Sequence, residues 1–156
     1  MTNHREQVLE QLVELAKSLP KYEILLCIPE IKETTATSVI DELGDIRRFK
    51  SANQINAFIG IDLKHYESGD FLAQEHITKR GNPYARKILY KCIHNIAAAS
   101  HTNPCHIADF YEKRKRQSQT TSTKPHTIAS IHHLIRTMYY LIMHNKLYDY
   151  TLAQSH

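Results

Sequence analysis

The chain has 156 residues, a net charge of +4, 42% hydrophobic residues and three cysteines. That length suits one ordinary domain with its own core, and no run approaches the roughly 18 consecutive apolar residues of a membrane span. Met1-Thr2-Asn3-His4-Arg5-Glu6 leads into an amphipathic segment and not an apolar one, so a cytoplasmic protein with no membrane partner is expected. Cys27, Cys92 and Cys105 have no framework spacing and read as free thiols in a reducing compartment.

The net charge hides an asymmetry. Residues 1–45 hold four Lys/Arg against nine Asp/Glu, whereas residues 46–156 hold sixteen against seven. A block that basic points to a polyanionic partner, of which nucleic acid is the usual one, or to a basic surface kept for solubility.

The pattern predicts an all-α domain. Val8, Leu9, Leu12, Val13, Leu15, Ala16 and Leu19 recur at helical spacing, with Glu6, Glu10, Glu14 and Lys17 between them, giving an N-terminal amphipathic helix that Pro20 ends. A short apolar patch, Ile24-Leu25-Leu26-Cys27-Ile28-Pro29, follows. Thr34 or Thr35 is expected to cap a second helix reaching Leu43, with Gly44 at its C′ position. Ser51 and Gln54 form a capping box for a third helix closed by Gly60.

Residues 61–81 lack periodicity and read as a long polar loop, a feature that is uncommon in compact domains and often functional. Asn82-Pro83 is an N-cap followed by proline at the first helical position and predicts a helix over 84–99. In it Ala85, Ile88, Leu89, Cys92, Ile93 and Ile96 face inward, while Lys87, Lys91 and Asn95 face away. Asn103-Pro104 repeats the signal for a helix ending in Lys113-Arg114-Lys115-Arg116. Residues 117–124 read as a flexible Ser/Thr-rich connection. The last helix, over 127–144, carries Ile128, Ile131, Leu134, Ile135, Met138, Leu141 and Ile142. Nothing reads as a strand.

Several groups could carry chemistry. Ser68-Gly69 places a hydroxyl beside a glycine in a polar loop, upstream of Thr78-Lys79-Arg80-Gly81-Asn82-Pro83-Tyr84. A serine needs a base, a metal or strong preorganisation to act as a nucleophile, so the residues alone leave a turn serine and a nucleophile both open. Lys64, Lys79, Arg80, Arg86, Lys87 and Lys91 form a basic group around a helix N-terminus whose dipole and N–H groups suit a phosphate, with Gly81 allowing close backbone approach. Tyr84 could add stacking. A solvated helix face is the alternative. Cys92, His94, His101, Cys105 and His106 lack zinc-ligand spacing and read as core cysteines and surface histidines. His132-His133 reads as structural or surface. Ile28-Pro29-Glu30-Ile31-Lys32 sits where a helix-hairpin-helix phosphate clamp would have glycine, and has none.

These segments resemble, in order, the C-terminal domain of the insertion-sequence 110/116/902 transposase family, which is related to the pilin-gene invertases. The resemblance covers about residues 24–150. It is carried by Ile28-Pro29 with Glu42-Leu43-Gly44-Asp45-Ile46 and Arg48-Phe49; by Ala57-Phe58-Ile59-Gly60-Ile61-Asp62; by Ser68-Gly69 with the stretch Ile77-Thr78-Lys79-Arg80-Gly81-Asn82-Pro83-Tyr84-Ala85-Arg86; and by Asn103-Pro104 with Tyr111, before Tyr148-Asp149.

The resemblance implies that Ser68 attacks a DNA phosphodiester and forms a transient covalent link, acting in DNA transposition and recombination. It implies that Lys64, Gly69, Lys79, Arg80, Gly81, Arg86 and Lys87 form the nucleic-acid contact. Magnesium is expected in the acidic RNase H-like domain of the family and no cofactor in this chain. A guide RNA and a homo-oligomer, formed through a coiled coil over 1–23 or by pairing with a full-length transposase, are implied partners. Residues 151–156 are expected to be a tail. Departures from the family pattern are Glu30 and Lys32 in place of hairpin glycines, Leu63 in place of a proline, and His132-His133 in place of a basic pair. Starting at the coiled-coil stretch, the chain reads as a truncated transposase, inactive alone. The alternatives are a non-catalytic remnant that binds nucleic acid or an intact transposase, and a basic helical module with no recombination history.

Overall fold

A computed structural model describes residues 2–61, 63–64, 76–77 and 81–154. Eight helices are described: α1 (Thr2–Lys17), α2 (Pro20–Leu26), α3 (Glu33–Leu43), α4 (Ala52–Ile59), α5 (Pro83–Ala98), α6 (His106–Gln117), α7 (Lys124–His144) and α8 (Tyr150–Gln154). A 3-10 turn, Ile46–Arg48, joins α3 to α4. The domain is all-α as expected, apart from a small antiparallel ladder in which β1 (Leu63–Lys64) pairs with β2 (His76–Ile77) in the register Leu63 to Ile77.

α7 is the central helix. It buries Ile131, Leu134, Ile135, Met138, Leu141 and Ile142 and packs on α6, α5, α4 and α2. α5 contributes Ala85, Leu89, Cys92, Ile93 and Ile96 to the same core, while Lys87, Lys91 and Asn95 face solvent. The 3.6-residue period fixes both faces at once.

The caps explain the ends. Ser51 Oγ accepts from Gln54 N at 3.3 Å, and Gln54 Oε1 reaches back to Lys50 N at 2.8 Å. α4 closes with Ile61 N donating to Asn56 O at 3.0 Å and Gly60 N to Ala57 O at 3.2 Å, the paired bonds that a left-handed C′ glycine permits. Gly60 has φ +78°.

Some ends differ from expectation. Pro20 does not merely end α1; it opens α2 at the first helical position, where a missing N–H costs nothing. α3 starts at Glu33 without a side-chain cap, so neither Thr34 nor Thr35 caps it; Glu33 instead puts a negative charge in the first turn. α6 starts at His106, later than Asn103-Pro104 implied, because its cap comes from far away: His106 N donates to Tyr148 Oη at 3.2 Å. The presumed tail contains α8, which Asp149 opens by accepting from Thr151 N at 2.9 Å.

α1 keeps its apolar stripe largely outside the core. Only Ala16 is buried, while Val8, Leu9, Leu12 and Leu15 are exposed, Leu15 by 70%. Among the described residues no helix is long and apolar enough to cross a membrane.

Candidate nucleic-acid interface

Four contacts converge on the ends of residues 62–80. Gly81 has φ +116°, and a Cβ placed there would lie 2.2 Å from Phe58 O and 3.0 Å from Gly60 N. Asn82 N donates to the same Phe58 O at 3.2 Å. Arg86 Nη1 donates to Ile59 O at 2.9 Å. His132, from α7, lies between Asn56 Nδ2 at 3.0 Å and Ile61 O at 3.1 Å. The chain therefore leaves α4 and re-enters α5 at one point, fixed by α4, α5 and α7 together. α3 joins through Glu42 Oε2, which accepts from Asn82 Nδ2 at 2.5 Å.

The sequence-predicted site residues divide around this point. Ser68, Gly69, Lys79 and Arg80 lie outside the described residues; Lys64 lies on β1 opposite His76. Gly81 is needed for its close approach to Phe58, a structural reason independent of any phosphate. Arg86 is half-buried and its guanidinium is tied to Ile59, which leaves the other N–H donors of the fork for a ligand. The first-turn amides of α5 are used within the chain: Asn82 Oδ1 accepts from Tyr84 N at 3.0 Å and Ala85 N at 3.1 Å. Proline supplies no N–H at the first position. An anion at this helix start would thus meet its dipole and side chains more than free amides.

The solvent side of α5 carries Tyr84, Lys87 and Lys91. Tyr84 is 69% exposed, and both lysines are exposed. Their spacing of three and four residues sets them along one helix face. A flat ring beside two ammonium groups suits a nucleic-acid backbone with an unstacked base.

The other candidates become structural. Burial pushes the Cys92 thiol up to about 12 and also raises Cys105, so both stay protonated core thiols. His106 is half-buried rather than a surface residue. It contacts Tyr148 Oη at 2.8 Å and Thr137 Oγ1 at 3.1 Å. Among the described residues no three His, Cys, Asp or Glu side chains gather as metal ligands. In the hairpin between α2 and α3, Ile31 N donates to Ile28 O at 3.1 Å. Glu30 takes the left-handed position a glycine would favour, with φ +63°, at a cost of about 1 kcal/mol. Its carboxylate accepts from Asn103 Nδ2 at 3.1 Å. A carboxylate at that turn repels phosphate, so this hairpin makes a poor clamp.

Sequence reasoning named Tyr148 and read His132 as structural or surface, but gave the partners of neither. Neither Tyr148 nor His132 carries a local signal of partners 42 and 71–76 residues away.

A family model described as the transposase IS116/IS110/IS902 family matches residues 22–112. The chain belongs to this family. Among curated relatives, it is 35% identical over 80 residues to the transposase for insertion sequence element IS1111A of Coxiella burnetii. It is 28% identical over 96 residues to the transposase for insertion sequence element IS1328 of Yersinia enterocolitica. These alignments cover 51% and 57% of this transposase-family chain, but only 22% and 29% of the two relatives. The matched family region contains Glu42, Phe58, Ile59, Gly81, Asn82 and Arg86 of this fixed point, while His132 lies beyond it.

Acid should destabilise this transposase-family domain through its histidines. Burial, with Arg136 next, lowers His133 to about 4, and burial also lowers His106. The unfolded chain, with histidines near 6.5, then binds more protons than the folded one between about pH 6.5 and 4. Stability is full above that window and falls as pH drops through it. Urea unfolding from pH 7 to 4.5 should show this decline, and His133→Gln should flatten it; an unchanged slope in the variant would contradict the assignment.

Proposed function

We propose that this chain is a nucleic-acid-binding part of an insertion-sequence transposase, with Ser68 as the nucleophile on a DNA phosphodiester. The observation that carries the reading is the fixed point at which the Ser68-bearing segment leaves and re-enters the fold, beside the exposed Tyr84–Lys87–Lys91 face. Catalysis by a serine depends on placing its oxygen within a few tenths of an ångström of a productive geometry, so the supporting elements must be rigid. A base held by α3, α4, α5 and α7 meets that requirement.

In the proposed step the Ser68 Oγ–P bond forms as the P–O bond to one deoxyribose oxygen breaks. The hydroxyl proton leaves Oγ, and the departing oxygen is protonated to a sugar hydroxyl. Lys64, Lys79, Arg80, Arg86 and Lys87, with the backbone at Gly69 and Gly81, hold the adjacent phosphates. In this proposal the hydroxyl is activated by groups outside the described residues. DNA is the proposed partner, with a guide RNA as a second polyanion.

Ser68→Ala, placed in a two-domain relative carrying this segment, should abolish strand exchange and leave DNA affinity unchanged. Retained exchange would sink the nucleophile assignment. A second reading, favoured by the uncovered apolar stripe of α1, is a non-catalytic piece that pairs through α1 with a second copy or an intact transposase. Under it the chain self-associates, and Leu12→Glu with Leu15→Glu yields a monomer of unchanged stability.

A further inference from the structure

The C-terminal end of α6 leaves the core. Tyr111 is its last buried residue, and residues 113–117 are all exposed. Lys113, Arg114, Lys115 and Arg116 occupy successive positions about 100° apart, so cations surround the helix end. Arg114 reaches over the Phe110 ring at 5.7 Å. Phe110 in turn lies 3.8 Å, centroid to centroid, from His133 on α7. One turn further along α7 stands Arg136, also exposed.

Arg114 on α6 and Arg136 on α7 thus stand near one ring pair, with three further cations at the end of α6. Among the described residues none of the five makes an ion pair. Two acids share α6: Asp109, which accepts from Tyr150 Oη at 2.8 Å, and Glu112. Among the described residues neither pairs with the five, and two carboxylates leave the five cations in excess. His133 senses the resulting potential, because Arg136 and Arg114, with His106 and His132, all oppose its protonation beyond the effect of burial. A helix C-terminus welcomes cations in its last turn through its dipole. That accounts for part of the α6 run, but not for Arg136 on the neighbouring helix.

We propose that Lys113, Arg114, Lys115, Arg116 and Arg136 form a second nucleic-acid backbone site, on elements distinct from the Tyr84–Lys87–Lys91 face of α5. The site rests in part on the nucleic-acid reading above, but not on Ser68. A chain with two such faces holds two stretches of backbone at once, one along α5 and one across the α6–α7 edge. Phosphates there relieve the mutual repulsion of the five cations and release condensed counterions.

The test compares three forms of the full chain: wild type, a variant with all five residues changed to Gln, and Lys87→Gln/Lys91→Gln. Each is titrated by fluorescence anisotropy with a mixed-sequence DNA duplex of about 20 bp and with a single-stranded RNA of about 20 nucleotides, between about 50 and 200 mM salt. Exposed Lys/Arg→Gln changes leave the fold intact, which thermal unfolding checks. The five-residue variant should lose at least about tenfold in affinity, and its salt slope should fall by about 3 or more. Loss on DNA alone, RNA alone or both supports the site and identifies the backbone it takes. Wild-type affinity and slope in the five-residue variant, with loss only in the α5 variant, overturns this site while leaving the α5 face standing. Failure of the wild type to bind either probe overturns both.

Discussion

Gly81→Ala should lower the unfolding free energy by about 3 kcal/mol, among the largest losses available to a single added methyl group in this fold. The methyl would lie 2.2 Å from Phe58 O and 3.0 Å from Gly60 N. Both are backbone atoms in the C-terminal turn of α4, and that turn is held by its own pair of bonds to Asn56 O and Ala57 O. Neither can swing aside as a flexible side chain would. The φ of +116° adds a second penalty, because L side chains rarely adopt it. For a chain near 150 residues the loss corresponds to a fall in Tm of about 6–12 °C, read by thermal scan or urea unfolding. Stability within about 0.5 kcal/mol of wild type would show that Gly81 does not dock on α4. Since the change spares Ser68, a loss of strand exchange in a two-domain context would then track the docking of the segment rather than its chemistry.

His132→Ala should cost about 3 kcal/mol, by a different route. His132 joins the amide of Asn56, whose side chain is buried, to the carbonyl of Ile61. Removing the ring leaves Ile61 O and Asn56 Nδ2 without this partner and opens space beneath α4. Among the described residues Asn56 Oδ1 has no partner, so the loss removes the amide's hydrogen bond at its other end. A double-mutant cycle with Asn56→Ala isolates the pair. A coupling of about 1 kcal/mol or more is expected, and additive losses would contradict the bridge.

How much of this was legible depended on how local the chemistry is. α4 and α5 could be read because Ser51, Gly60, Asn82 and Pro83 cap them with residues at most a few positions away. The inward faces of α5 and α7 followed from their period. α2 was missed because seven residues carry too little periodicity, and the start of α6 was misplaced because its cap, Tyr148, arrives through the tertiary fold. The same limit applies to the site. Lys87 and Lys91 could be read as solvent-facing, and are. That Arg86 ties down α4, that Gly81 is needed against Phe58, and that His132 braces Ile61 could not be read, since each depends on a partner brought near only by folding. Family membership was legible because its motif lies in caps and turns, which keep fixed spacing. Ser68, Gly69, Lys79 and Arg80 lie outside the described residues, and their roles rest on the resemblance alone.

The central claim is that Ser68 forms a covalent bond to a DNA phosphate. It is tested most directly by joining residues 22–154 to the acidic domain of a two-domain relative, trapping the reaction on a DNA substrate, and mapping the adduct by mass spectrometry. The account predicts a nucleotide phosphate on the peptide that contains Ser68, absent in Ser68→Ala. An adduct on any other residue, or strand exchange undiminished in Ser68→Ala, would contradict it.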